Sequence, residues 1–315
     1  MNKYCFGVDL GGTTVKIGIF TPEGEVVEKW EIPTRTQENG SKILPDIADA
    51  ILAKMQERGI AKEAVIGVGI GVPGPVDDAG MVYRAVNLGW DVFNINETLG
   101  GLLGMDVKAG NDANVAALGE MWCGGAKGYK DIVLATLGTG VGGGIITNGK
   151  IVTGSRGAGG EIGHMHIVDG EPDACGCGNH GCFEQYGSAT GIVRLAKRRL
   201  AASEEDSVLR AAQAEGTLSA KAVFDAVKGG DKVACEIAEE FGSYLGKGFA
   251  LIATVVNPEV FVLGGGVSKA GDILFQYIEK NYQKYTFHAC QNAVFKLATL
   301  GNDAGIYGAA KLVLG

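Results

Sequence analysis

Residues 4–20 read YCFGVDLGGTTVKIGIF: an apolar run to Asp9, a turn at Gly11 and Gly12, and a second apolar run. Runs this short, split by glycines and without a helical period, predict a β-hairpin. Val26 to Ile32 is expected to add a third strand to the meander. The pattern returns in residues 131–152, DIVLATLGTGVGGGIITNGKIV, where a strand to Leu137 meets a glycine turn and a further hairpin. Two such hairpins, about 130 residues apart and one in each half, read as an internal repeat. Two similar subdomains facing each other would offer two sets of backbone N–H groups to one polyphosphate.

Gly138, Gly140 and Gly143 literally match the dinucleotide fingerprint. That fingerprint needs a helix after its glycines, with the pyrophosphate on the helix N-terminus. Here a strand with an Asn148-Gly149 hairpin turn follows, so the dinucleotide reading fails. The lysine-bearing P-loop motif is absent as well.

With 315 residues the chain exceeds the usual single-domain size, so two domains are expected. A formal net charge of -8 argues against a nucleic-acid partner, which needs clustered Lys and Arg. The one basic run, Lys197 to Arg199, sits in a helical pattern and reads as a solvated helix face. No apolar run approaches the roughly 18–20 residues of a membrane helix. No signal peptide is apparent ahead of Tyr4, so a cytoplasmic protein is expected. Cys5, Cys123, Cys235 and Cys290 are scattered without a disulfide framework, which fits buried thiols in a reducing compartment.

The other three cysteines are not scattered. In EIGHMHIVDGEPDACGCGNHGCFE, residues 161–184, Cys175, Cys177 and Cys182 lie within eight residues, separated mostly by glycine. Thiolates at this spacing let a backbone fold around one zinc ion, and a histidine would complete a closed structural tetrahedron. Spacing does not choose among His164, His166 and His180 as the fourth ligand. Three reduced thiols are the plainer alternative, but free cysteines favour apolar cores over a glycine-rich loop.

Between these landmarks, Ser41 reads as a helix N-cap, followed by an apolar stripe at Ile43, Ile47, Ile51 and Met55. Ile66 to Val72 reads as a buried strand stopped by Pro73 and Pro75. Asp106 to Ala109 is a short strand leading to Asn111, Asp112 and Asn114, where Asp112 stands at the expected N-cap position of a helix. Helical patterns cover residues 189–201, 219–228 and 231–256. A strand then delivers a third glycine turn, Gly264 to Gly266, and an amphipathic helix, Ala304 to Leu314, is expected to dock on one of the domains.

DLGGT at 9–13, GVPGP at 71–75, GNDAN at 110–114, LGTGVGGG at 137–144, EIGH at 161–164, CGCGNHGCFE at 175–184 and GGGV at 264–267 together resemble the ROK family of sugar kinases and repressors. Within it the resemblance is to the bacterial glucokinases. It implies an α/β, actin-like (ribonuclease-H-like) fold, two α/β domains around a central cleft with a zinc-stabilised loop at 161–184. The smaller domain is expected to span 1–113 plus 302–315, the larger 114–301.

The resemblance also implies residues. Zinc falls to His164, Cys175, Cys177 and Cys182, and the catalytic base to Asp112. Gly74, Asn111, Asp112, Glu161, His164 and Glu184 are expected to bind the sugar. Asp9, Gly11, Gly12, Thr13, Thr14 and Lys16, with Gly138, Thr139, Gly140, Gly265 and Gly266, are expected around the nucleotide. The reaction implied is transfer of phosphoryl from MgATP to the 6-hydroxyl of glucose, the first step of glycolysis. It depends chiefly on positioning and charge neutralisation. Asp9 would hold Mg²⁺ through water. A homodimer or homotetramer is the family expectation.

The competing activities are kinases for N-acetylmannosamine, N-acetylglucosamine, allose or fructose, and polyphosphate as alternative donor. A sugar-sensing repressor is the runner-up of another class. It would carry a DNA-binding helix-turn-helix ahead of the first hairpin, whereas this chain enters its first strand within a few residues of Met1 and is acidic.

Overall fold

The computed structural model describes residues 3–315, arranged as two compact units. The first comprises the chain up to Ile132 with Gly144–Gly160 and Thr299–Gly315; the second comprises Val133–Gly143 and Glu161–Ala298. Among the described residues no helix is long and apolar enough to cross a membrane.

The first unit is built on β1 (Tyr4–Leu10), β2 (Thr14–Phe20), β3 (Val26–Pro33) and β4 (Val65–Val72). A small ribbon of β5 (Met81–Val82) and β6 (Phe93–Asn94) follows, and then β7 (Val107–Asn111). The sheet order is β3-β2-β1-β4-β7. The β1, β2 and β3 meander is antiparallel, whereas β4 runs parallel to both β1 and β7.

Alternation along β1 decides what each face meets. Phe6, Val8 and Leu10 are buried in one core with Ile43, Ile47, Ile51 and Met55 of the helix Ile43–Arg58. Cys5 joins Phe20, Ile306 and Ala310 in a separate cluster with the C-terminal helix Ala304–Leu314. That helix lies close on the sheet because glycines leave room: a methyl group on Gly69 would sit 1.7 Å from the Ala309 carbonyl oxygen. The helix Asp112–Cys123 packs on it just as tightly, since a methyl on Gly308 would be 1.7 Å from Val115 O. This contact draws the helix into the first unit, which therefore reaches beyond residue 113.

The other sheet repeats the pattern with β8 (Ile132–Leu137), β9 (Val141–Thr147), β10 (Lys150–Ile151), β11 (Val260–Gly264) and β12 (Val294–Leu297). Its order is β10-β9-β8-β11-β12, the same arrangement as in the first sheet. The second unit's core includes Phe241 and Phe249 of the long helix Lys232–Val256. Asp231 caps that helix, accepting from Ala234 N at 2.8 Å. Asn257, in the left-handed region at φ 43°, ends it before Pro258.

Four local expectations need correction. Ser41 does not cap the helix that starts at Ile43; Lys42 holds the cap position without a side-chain bond. Asp112 is the first helical residue rather than the cap, a role taken by Asn111. Cys123 and Cys235 are only half-buried. The run Lys197 to Arg199 is not a purely solvated face: Arg198 pairs with buried Glu171, and Arg199 with Glu205 and Glu236.

Candidate active site

In the first unit, Asp112 is held where β7 gives way to a helix. Asn111 Oδ1 accepts from Ala113 N (3.0 Å) and Asn114 N (3.1 Å), satisfying two N–H groups that a helix N-terminus leaves open. Its Nδ2 donates to the Gly74 carbonyl at 3.1 Å, tying the helix start to the Pro73-Gly74-Pro75 turn. Gly74 sits at φ 126°, which favours glycine. Asn114, 1% exposed, donates to Gly159 O at 3.2 Å and so fixes the loop that leads to Glu161. The half-buried Asp112, whose Oδ1 accepts from Ala113 N at 2.8 Å, thus stands at a helix N-terminus braced on two sides.

The same unit carries the first glycine turn. Gly11 N donates to Thr14 O (3.0 Å), and Thr34 Oγ1 donates to Gly11 O (2.7 Å), so the turn is locked while Gly12 and Thr13 stay exposed. Asp9 and Lys16 are cross-strand partners. Burial raises the Asp9 pKa, and Lys16 opposes the shift. The Asp9 carboxylate abuts Gly305 in the first turn of the C-terminal helix, while Lys16 Nζ donates to Asn302 O at 2.9 Å.

In the second unit the Gly138 N–H is used within its turn, donating to Gly140 O at 3.0 Å, and Thr139 is exposed. Gly265, at φ 81°, lies directly against Leu137, so the turns after β8 and β11 adjoin. An open cavity of ≈ 450 Å³ lies beside Thr139 and Gly140, lined also by Cys175, Glu184, Ser188 and Arg194.

The ligand atoms of His164, Cys175, Cys177 and Cys182 all lie within 4.8 Å of one another. Cys177 Sγ and Cys182 Sγ are 3.7 Å apart, and Cys175 Sγ is 3.7 Å from His164 Nδ1. Around a zinc ion with Zn–S near 2.3 Å, tetrahedral S···S edges measure about 3.8 Å, so the donor set fits that ion. The other two candidate histidines are engaged elsewhere. His166 bonds Asp169 Oδ1 and the His180 carbonyl, and His180 Nδ1 bonds the Glu171 carbonyl.

Glu184 links this clip to the glycine turn. Its Oε1 accepts from Cys175 Sγ at 2.9 Å and lies 3.8 Å from His164 Nδ1, while Oε2 accepts from Val141 N at 3.4 Å. Glu161 is exposed just before the short turn Ile162–His164. Of the expected site residues, the first unit therefore groups Gly74 with Asn111 and Asp112, and Asp9 with Lys16. The second groups His164 and Glu184 with the three cysteines and Gly140.

One cluster escapes the sequence reading. Glu171, with a side chain 1% exposed, pairs with Arg194 and Arg198 and accepts from the Tyr186 hydroxyl. Arg194 also donates to the Gln185 carbonyl at 2.8 Å, next to Glu184. Arg194 and Arg198, four apart on the helix Ala189–Ala201, are the only sequence trace of this network.

The sequence profile of the ROK family matches residues 5–315. The chain is 43% identical to a glucokinase of Halalkalibacterium halodurans over 99% of its own length and 95% of that protein. It is 36% identical to a glucokinase of Streptomyces coelicolor, covering 97% of this chain and 96% of the other. Its structure resembles that of a ROK family glucokinase from Streptomyces griseus in complex with glucose and AMPPNP, with TM-score 0.72, 33% identity and 98% of each chain covered.

Proposed function

Because this chain belongs to the ROK family, we propose that it is a glucokinase, transferring the γ-phosphoryl group of MgATP to the 6-hydroxyl of glucose. The observation that carries this reading is the 43% identity, over almost the whole chain, to a glucokinase. The Asn111-Asp112 helix start supports it by supplying a fixed, half-buried carboxylate of the kind a hydroxyl nucleophile needs.

In this mechanism Asp112 accepts the proton of the 6-hydroxyl as that oxygen attacks the γ-phosphorus. Asn111, held by its bond to Gly74, binds a neighbouring hydroxyl, and Glu161, His164 and Glu184 bind the others. Gly12 and Thr13, with Thr14, offer donors to the phosphates, as do Thr139, Gly140 and the Gly265-Gly266 turn; Gly11 and Gly138 use their N–H groups to shape those turns. Lys16 adds positive charge, and Asp9 would help hold the magnesium of MgATP, which neutralises phosphate charge. Zinc, when bound, supplies a closed crosslink that holds the loop carrying His164 and Glu184. Phosphoryl transfer of this kind depends on positioning and charge neutralisation, which these residues provide.

The test is a coupled assay of ADP release with glucose, N-acetylglucosamine, N-acetylmannosamine, allose and fructose. Glucose is expected to give the highest kcat/KM. Preference for another sugar replaces the glucose assignment, and no turnover of any removes the kinase reading.

A further inference from the structure

We infer that Glu120 is a positioning residue for phosphoryl transfer, holding the segment Thr299–Asp303 so that Asp9 and Lys16 stay in register with Asp112. The inference rests on the kinase reading above. Glu120 is 0% exposed, and among the described residues no cation pairs with it. Its carboxylate is instead met by backbone donors: Oε2 accepts from Gly125 N (2.7 Å) and Thr299 N (3.1 Å), and Oε1 accepts from Leu300 N (2.9 Å). Burying a carboxylate is costly unless its oxygens are bonded, and here three N–H groups bond them.

What those bonds hold is the point where the chain re-enters the first unit at Thr299. Immediately afterwards Asn302 O accepts from Lys16 Nζ, the Asp303 carboxylate pairs with Lys29, and Gly305 lies against the Asp9 carboxylate. Glu120 and Asp112 belong to one helix, two turns apart, or about 12 Å along its axis. One rigid element therefore carries the base at its start and, through Glu120, sets the backbone that seats Asp9 and Lys16. Loss of the carboxylate shifts the phosphate side of the chemistry while leaving Asn111 and its cap in place.

The test uses Glu120→Gln, which keeps the size but turns one acceptor into a donor facing N–H groups. Leu300→Pro provides an independent variant: Leu300 has φ -80°, close to proline's, so the change removes the N–H that Oε1 accepts without touching Glu120. Steady-state kinetics and calorimetric ADP binding are read for every variant that folds by circular dichroism. The expected result is a KM for MgATP and a Kd for ADP raised about tenfold, with KM for glucose within about twofold of wild type. A purely structural role would lower Tm and leave both nucleotide constants unchanged, and that outcome in either folded variant overturns the inference. Absence of glucose phosphorylation by the wild-type chain would instead remove the kinase reading, whereas unaltered ADP binding by a folded variant overturns the inference about Glu120.

Discussion

Cys175 Sγ donates to Glu184 Oε1 at 2.9 Å, so a thiol of the metal clip and a proposed sugar-binding carboxylate are direct partners. Burial, with help from the Glu184 bond, pushes the Cys175 thiol up to about 12. Zinc binds cysteine as thiolate, so loading the clip removes the proton that Cys175 shares with Glu184. In the proposed site this would release Glu184 Oε1 from the thiol for a sugar hydroxyl. We expect about one zinc per chain, and a KM for glucose raised at least several-fold by chelation and restored by zinc. Chelated protein with full activity and unchanged KM would break this coupling.

Asp112 follows Asn111 into the helix but does not cap it, so the two roles separate experimentally. Asp112→Ala is expected to lower kcat by about 10²–10⁴-fold, the usual contribution of a general base. Stability and glucose binding should change little, because the cap belongs to Asn111. Near-normal turnover by the variant would exclude Asp112 as the base.

Asn111→Ala removes a different set of interactions. Asn114 N loses its side-chain acceptor, while Ala113 N keeps Asp112 Oδ1 at 2.8 Å; the loss costs about 1 kcal/mol, and the tie to the Gly74 carbonyl disappears. Stability measured by urea unfolding should fall by that amount, and KM for glucose should rise more than kcat falls. A variant with wild-type KM would show that Asn111 serves the helix alone.

How legible these roles are depends on how local their causes are. The hairpins of β1 with β2 and of β8 with β9 are written in adjacent residues, as apolar runs broken by glycines, and the sequence reading finds both. The Asn111-Asp112 boundary is equally local, yet pattern alone does not tell which of two neighbouring capping residues takes the cap; the Gly74 carbonyl, far away in sequence, helps decide it. The choice of His164 over His166 and His180 likewise depends on Asp169 and on two backbone carbonyls. Glu171 is the extreme case. Its partners Arg194 and Arg198 lie 23 and 27 residues downstream, and a loop glutamate before Pro172 gives no sign of being buried.

Glu171 also sets a pH dependence. Burial by itself would raise its pKa, but the Tyr186 hydroxyl, Arg198, the Asp173 N–H and Arg194 together hold it at about 2, below the ordinary 4.5. A depressed pKa contributes stability that is present in full above the unfolded value and is lost as pH falls from about 4.5 toward 2. A shift of that size corresponds to about 3 kcal/mol near neutrality. Glu171→Gln leaves Arg194 and Arg198 without their buried partner, so at pH 7 it should lose stability of that order. The gap between wild type and variant should then narrow between pH 5 and pH 3 in urea unfolding. Because Arg194 also bonds the Gln185 carbonyl, the variant should raise KM for glucose even where it remains folded. A gap independent of pH would mean that the cluster acts through packing rather than charge.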